Sequence, residues 1–322
     1  MLNRKRAVLV IIILLLLFSY FDLSRGIIPD SGLQLVDINQ EELGEIESLA
    51  DIDQLDWQNY EYEAEMTGSQ ERDVEAIDEL NMNNDRGDVA VRGEDRDNVK
   101  TDYTITISSN DEEVLSRLEE EIELSKTAEE DVLNVSVDRS VPEREQVLIE
   151  AEISVLAPQD LVLEVQNNYG VTEVYSWREN IDLDSNYSQI NLDDIEAENL
   201  ALISSYADVN LQDINSTLLM DLSYTDMTIA GSSLSLQGEI SYGALEGSAV
   251  AGESSLQTEF ADVDLDLEGD PSEWGFDVQS SYGDISTPPD LNVEEDGTSQ
   301  RLVGEGSPFL EIRSSYGDVN LR

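Results

Sequence analysis

The residues in this chain with the clearest potential for chemistry are aspartates at a fixed spacing. Asp208, Asp226, Asp262, Asp284 and Asp318 each stand two residues after an aromatic, and Asp193, Asp194, Asp264 and Asp266 add carboxylates nearby. Dense oxygen ligands suit a hard cation such as calcium, so these five positions are the candidate calcium ligands. Against that, the glycine-and-aspartate nonapeptides of calcium-binding β-rolls are absent, and a run of acids is more often a solvated face. The main expectation is therefore no cofactor and no dedicated metal site. A pair of the same carboxylates could cleave polysaccharide, but evenly repeated acids are poor material for two carboxyls with separated pKa values. The chain has 0 His and 0 Cys, which removes imidazole base chemistry, thiolate chemistry and ordinary zinc sites. No catalytic residue is expected.

What positions these aspartates is a repeat. Tyr169, Tyr187, Tyr206, Tyr224 and Tyr242 recur every 18 or 19 residues, and Phe260, Tyr282 and Tyr316 continue the series. An internal period of this size means that one short unit has been copied and stacked. The residue after each aromatic is small (Gly170, Ser188, Ala207, Thr225, Gly243, Ala261, Gly283, Gly317), and the residue before it is often Ser. Large apolar residues fall six and four before the aromatic, as in Leu200 and Leu202, and three and five after it, as in Val209 and Leu211. Alternation means strand, and the odd step across the aromatic means that the face has switched. That is the mark of a corner, placed by this reading at the small residue and the Asp that follows. Because Ala, Ser and Thr share the small position with Gly, a left-handed backbone is not always required there.

The fold class that follows is mainly β: a single-stack β-solenoid of coils of about 18 residues, each with two strands and two corners. Eight coils at roughly 4.8 Å would make a rod on the order of 40 Å long. The aromatics share the phase of the leucines, so they are expected as a buried or half-buried ladder with hydroxyls at the rim. The alternative is an exposed aromatic stripe that binds sugar or peptide. Gly238 and Gly247 replace core aliphatics, and four extra residues fall within Asp270 to Gly275. The 34 residues from Tyr282 to Tyr316 include Pro288, Pro289 and an acidic stretch. They read as a bulging loop, since prolines and charges cannot sustain a central strand.

Upstream of the repeats the chain divides in three. Residues 1–26 carry Arg4, Lys5 and Arg6 followed by an apolar run from Ala7 to Phe18, which reads as one N-terminal transmembrane helix. Its length is short for a span and ordinary for a signal peptide, but no cleavage site follows, so an uncleaved anchor is preferred over a cleaved signal. The basic cluster would hold the N-terminus in the cytoplasm and place the bulk of the chain outside. Residues 27–70 are an acidic tether, and 71–160 a mixed strand and helix N-terminal cap. The cap includes strands at 87–91, 103–107, 132–137 and 147–155 and a helix from Asn110 to Ser125. Residues 161–322 form the solenoid, whose open end the cap would cover.

At this point the residues resemble a known family. The run Gly87-Asp88-Val89-Ala90-Val91-Arg92-Gly93, then a helix and a strand, then Ile153-Ser154-Val155-Leu156-Ala157-Pro158, then repeated Tyr-Gly-Asp-Val units, is similar to the bacterial DUF4097 family over about residues 75 to 322. Its order and period are more specific than any one motif. The resemblance implies an exported or membrane-anchored β-solenoid with an adhesin label and no defined biochemical activity or site. Asn168-Tyr169-Gly170-Val171 departs from the pattern in lacking the Asp of later copies.

Charge bounds the partners. With 72 acidic against 17 basic residues the net charge is −55, which repels nucleic acid and anionic lipid. Acid excess with only Lys5, Lys100 and Lys126 as lysines is the composition of a halophile, whose self-repulsion molar salt screens. The expected function is a non-catalytic, membrane-anchored extracytoplasmic solenoid for surface interaction or adhesion. Its partners are the membrane through the N-terminal segment and a cell-envelope polymer or protein. A structural or regulatory part of an envelope-stress complex is the alternative, and a carboxylate-dependent polysaccharide-cleaving enzyme the less favoured one.

Overall fold

A computed structural model of the chain describes residues 60–74, 77–129, 131–137 and 147–322. The anchor segment 1–26 and the tether as far as residue 59 lie outside the described residues. Among those described, no helix is long and apolar enough to cross a membrane.

The repeats form two sheets of parallel strands, one built from residues before each aromatic and one from residues after it. In the first sheet Ile181–Asn186 lies against 200–205, which lies against 218–223, and these against 236–241. In the second, 188–193, 208–212, 226–230 and 243–247 follow one another in register. Between the sheets runs one continuous core: Leu200, Leu202, Leu218, Leu236, Val263 and Leu265 are all buried. Burial of each such side chain contributes roughly 1.5–3 kcal/mol. This is the stacked-coil arrangement expected from the period.

The corner differs from expectation. Tyr187, Tyr206, Tyr224, Tyr242, Phe260, Tyr282 and Tyr316 themselves hold left-handed backbone, with φ between 51° and 66°. The turn is made at the aromatic, not at the small residue and Asp after it. A left-handed residue rotates the chain so that the residues two before and one after both point inward, which produces the parity switch and throws the aromatic outward. That also explains the small residue: Ala207, Thr225 and Ala261 are buried. A Cβ on Gly243 or Gly317 would come within 2.0 Å of a neighbouring coil's carbonyl oxygen. At Tyr169 the bend is taken by Gly170 instead, at φ 136°. The return corner is a second left-handed column, Ser176, Asp194, Asp213 and Gly231.

Coil order in space departs from order in the chain at both ends. The strand Phe309–Ser315 lies between 254–259 on one side and Gly275–Ser281 on the other. Similarly, Val319–Leu321 lies between 263–265 and Ile285–Ser286. The Tyr316 coil thus occupies the slot between the Phe260 and Tyr282 coils. The four extra residues before Gly275, part of which is the 3₁₀ turn Pro271–Glu273, let the chain climb past this slot. Four residues reach up to about 13 Å, ample for one more 4.8 Å step.

The segment expected as a loop is in fact a hairpin. Val293–Asp296 and Ser299–Gly304 pair with each other, and Ser299–Gly304 runs antiparallel along Gly275–Ser281. Its charges sit on an edge, as the argument from proline and charge requires, but they close the sheet rather than bulge from it.

The N-terminal end is organised in the same way. Glu79–Arg86 pairs with both Val132–Val137 and Val162–Tyr169, and Val89–Glu94 pairs with both the later strand Val147–Pro158 and 172–175. Residues 79–94 are therefore a further coil, flanked by segments that come after it in sequence. Antiparallel strands cover this end: Leu124–Glu129 pairs with Val132–Val137, Asn98–Ser109 with Val147–Pro158, and Tyr62–Asp73 with the other edge of Asn98–Ser109. The strand Tyr62–Asp73 takes residues that the sequence assigned to the tether. The helix is shorter than expected, Glu112–Glu121, and Asp111 rather than Asn110 caps it by accepting from the amides of Glu113 and Val114. Leu124 and the residues after it go into strand instead, because Leu124 is needed in the core.

Candidate functional site

The corner column builds the most distinctive surface of the molecule. The eight aromatics stack face to face in the order Tyr169, Tyr187, Tyr206, Tyr224, Tyr242, Phe260, Tyr316, Tyr282, with ring centroids 4.7–5.2 Å apart and planes within 13° of parallel. The ladder expected from the sequence exists, but it is not buried. Every ring is exposed, from 38% at Tyr224 to 63% at Tyr282. The left-handed turn is the reason, since it takes the aromatic off the inward phase of the leucines. The exposed alternative is the one realised, with a qualification that matters chemically: stacking covers the ring faces, so the stripe offers edges and hydroxyls to a ligand.

Hydrogen bonds from neighbouring coils lock this corner. The amides of Tyr206 and Tyr224 donate to the carbonyls of Ser223 and Ser241 at 2.9 and 2.8 Å. Inside the corner, Ser314 and Ser280 hydroxyls both donate to the Gly317 carbonyl, at 3.0 and 3.2 Å. Farther up, Asn167 donates to the Gly87 carbonyl and Thr172 hydroxyl. These polar groups stand two residues before the aromatic and satisfy carbonyls that the turn would otherwise strand.

The aspartates of the sequence pattern flank the stripe. Asp208 and Asp226 are register partners, and Ala244 separates them from Asp262. The Asp262 carboxylate accepts the Asp318 amide at 2.9 Å, and the Asp318 carboxylate accepts the Asp284 amide at 2.8 Å. Asp88 does the same for the Val171 amide at 2.8 Å. At these positions, towards the two ends of the stack, a carboxylate ties one corner to the next. Asp264 and Asp266 face Arg322, and Asp194 accepts from Arg178 at 2.9 Å. Among the described residues no group of three or more carboxylates converges as a metal site. A shallow groove of about 480 Å³ runs between the stripe and this column, walled by Tyr187, Tyr206 and Tyr224 on one side and Gln189, Asp208 and Asp226 on the other.

Among the described residues, the carboxyls displaced from the ordinary range are displaced downward. Asp277 is held low first by its bond from Arg313, and Asp102 by its bond from Lys100. Asp270 is held low by the Ser272 amide. At Asp194 burial pushes up, but bonds from Arg178 and Ser176 together outweigh it. A general acid needs the opposite displacement.

Three features escaped the sequence. Arg86 stands in register with Tyr169 and lies over its ring, 4.6 Å from the centroid. Its signal was present, because Arg86-Gly87-Asp88-Val89 aligns with Tyr-Gly-Asp-Val once Arg is allowed in the aromatic place. The return-corner column had a weak signal in Asp194, Asp213 and Gly231, residue types that tolerate left-handed backbone. Finally, residues 161–322 contain only four basic residues, and all of them form clamps. Arg313 and Arg301 both bind Asp277, Arg322 binds Asp264 and Asp266, and Arg178 binds Asp194 and Glu196. Arg313 and Arg322 join the coils that are out of order, and Arg301 ties the edge hairpin to the Tyr282 coil.

These features define an edge-capped β-solenoid with a one-residue-wide aromatic column. The chain belongs to the Toastrack DUF4097 family, whose model matches residues 77–322. Among solved structures it is similar to a "putative adhesin" from Bacteroides fragilis NCTC 9343, at 12% identity and a TM-score of 0.41 over 80% of this chain and 97% of that one. A "putative adhesin" from Parabacteroides distasonis ATCC 8503 gives 12% identity and 0.40 over 80% and 97%. A "putative lipid binding protein" from the same strain gives 11% and 0.29 over 80% and 96%. No curated protein matches the chain significantly.

Proposed function

We propose that this protein is a non-catalytic, membrane-anchored extracytoplasmic rod that makes surface contacts through its aromatic stripe. The observation that carries the reading is the stripe itself: eight aromatic side chains stacked in a line yet 38–63% exposed. Large exposed apolar side chains in a contiguous row mark interaction surfaces, and a left-handed backbone at seven of them is a local cost retained for a reason outside the core. The basic cluster and apolar run of residues 1–26 support the anchor and its orientation. The absence of His and Cys, and carboxyls shifted downward among the described residues, support a role without catalysis or cofactor.

The acidity supports salt adaptation. In the repeats every basic residue is engaged between coils, so the remaining carboxylates repel one another unless salt screens them. The test is capture of an envelope fraction by the purified protein at about 2 M NaCl, where the Debye length is only a few ångströms. Capture should fall when Tyr187 and Tyr224 are both replaced by Gly, which the left-handed backbone accepts. Undiminished capture by that variant would remove the stripe from the interface.

A further inference from the structure

We infer that the stripe and its groove bind a linear β-linked glycan, neutral or amine-bearing, lying along the rod with about one sugar per ring. This rests on the surface-contact reading above and names the chemistry of that contact. Three observations select the occupant. The first is shape: a standard protein interface needs about 20–30 residues a side, whereas this stripe is one residue wide and on the order of 35 Å long. A chain-like ligand fits it; a globular partner does not.

The second is pitch. Ring centroids repeat every 4.7–5.2 Å. An extended peptide advances about 3.3 Å per residue and returns to the same face about every 6.6 Å, so it loses register with the rings within two steps. A 1,4-diequatorially linked pyranose chain advances by close to one ring spacing per sugar; alternate sugars turn opposite faces, so the same face returns at every second ring and register is kept. The third is the chemistry of the walls. Ring faces are covered by stacking, so one wall presents aromatic edges and tyrosine hydroxyls. The other presents the amide of Gln189 and the carboxylates of Asp208 and Asp226. Such walls hydrogen-bond sugar hydroxyls and attract amines, while the carboxylates repel anionic polymers.

The experiment is calorimetric titration of the full chain at about 2 M NaCl with cello- and chito-oligosaccharides of two to six sugars, de-N-acetylated chitohexaose and hexagalacturonate. Affinity should rise with each sugar added, and hexagalacturonate, whose carboxylates would lie at hydrogen-bonding range of Asp208 and Asp226 where salt screens least, should bind more weakly than the neutral hexamers. Tyr187→Phe with Tyr242→Phe keeps the stack and removes two hydroxyls, and should weaken hexasaccharide binding about tenfold or more. Phe260→Tyr fills the one gap in the hydroxyl row and should strengthen it. Thermal melts followed by the strand signal in far-ultraviolet circular dichroism show that the variants keep their fold. No binding by any neutral or amine-bearing hexamer, equal affinity for dimer and hexamer, or equal affinity in the double Phe variant would each overturn the inference. If the glycans fail while stripe-dependent envelope capture persists, the glycan assignment falls and the surface reading stands; if capture is stripe-independent, that reading falls too.

Discussion

The guanidinium of Arg86 lies 4.6 Å from the centre of the Tyr169 ring, in the register position that an aromatic holds in the coils that follow in the stack. A planar cation thus covers the first ring face of the stack. Arg86→Ala should cost about 0.5–1 kcal/mol. Arg86→Tyr should cost less, because Gly87 carries the turn there at φ 108° and a ring can extend the stack without strain. Urea midpoints of the two variants check this order.

Left-handed backbone at the aromatics predicts an unusual substitution series. At Tyr224, φ 54°, Phe keeps the stack and should match the parent. Gly loses the stack but sheds the backbone cost. Ala loses the stack and keeps a penalty of about 1 kcal/mol. The expected stability order is Phe, then Gly, then Ala, read from thermal melts; Ala at or above Gly would contradict the turn geometry.

Asp277 holds together three strands through Arg301 at 3.2 Å and Arg313 at 2.6 Å. Arg313 keeps this carboxyl below its ordinary pKa. A depressed carboxyl contributes stability above its unfolded pKa and loses it as pH falls through the folded one. Relative to the parent, Asp277→Asn should be less stable at pH 7 by about 1 kcal/mol. The difference should close as pH falls below about 4. Taking the difference removes the general relief of repulsion that acid gives both proteins.

Lys126 gives the opposite sign. Its ammonium donates to the Val99 carbonyl at 2.8 Å, and burial lowers its pKa to about 8, with Arg72 adding to the effect. Between that value and about 10.4 the unfolded chain binds a proton that the folded chain does not, so stability rises with pH. The parent should gain stability between about pH 8 and 9.5, and Lys126→Met should flatten the profile.

Salt should stabilise the protein as a whole. With a net charge of −55, circular dichroism in desalted buffer should show cooperative loss of strand signal that returns towards molar salt. An unchanged strand signal on desalting would remove salt adaptation from the proposal.

Comparing sequence with structure shows what alternation can and cannot tell. Leu200, Leu202, Val209 and Leu211 announced strands, core and corner, because inward phase depends only on parity. Tyr206 reads as inward for the same reason: it sits on the inward phase of Leu202, and only its left-handed φ of 58° turns it out. Side-chain pattern does not encode the sign of φ at an aromatic residue, which, unlike Gly, Asn or Asp, carries no preference for the left-handed region. The neighbour of Phe260 in the stack was equally hidden. The extra residues before Gly275 marked an irregularity, but length alone does not say that the chain skips a place and that Tyr316 later fills it. The carboxylate column was legible as residues and illegible as bonds, since the Asp262 to Asp318 contact joins segments 56 positions apart.

The late filling of that place has a consequence for how the protein is made. A solenoid whose coils follow chain order can set one coil upon the last as each leaves the ribosome or a translocation pore. Here the Phe260 and Tyr282 coils have no partner on their facing edges until residues 309–321 have been delivered between them. Completion of the far end therefore waits for these residues, in the manner of a keystone. A nascent or truncated chain that lacks them presents two open edges, the form most prone to aggregation and to quality-control proteolysis.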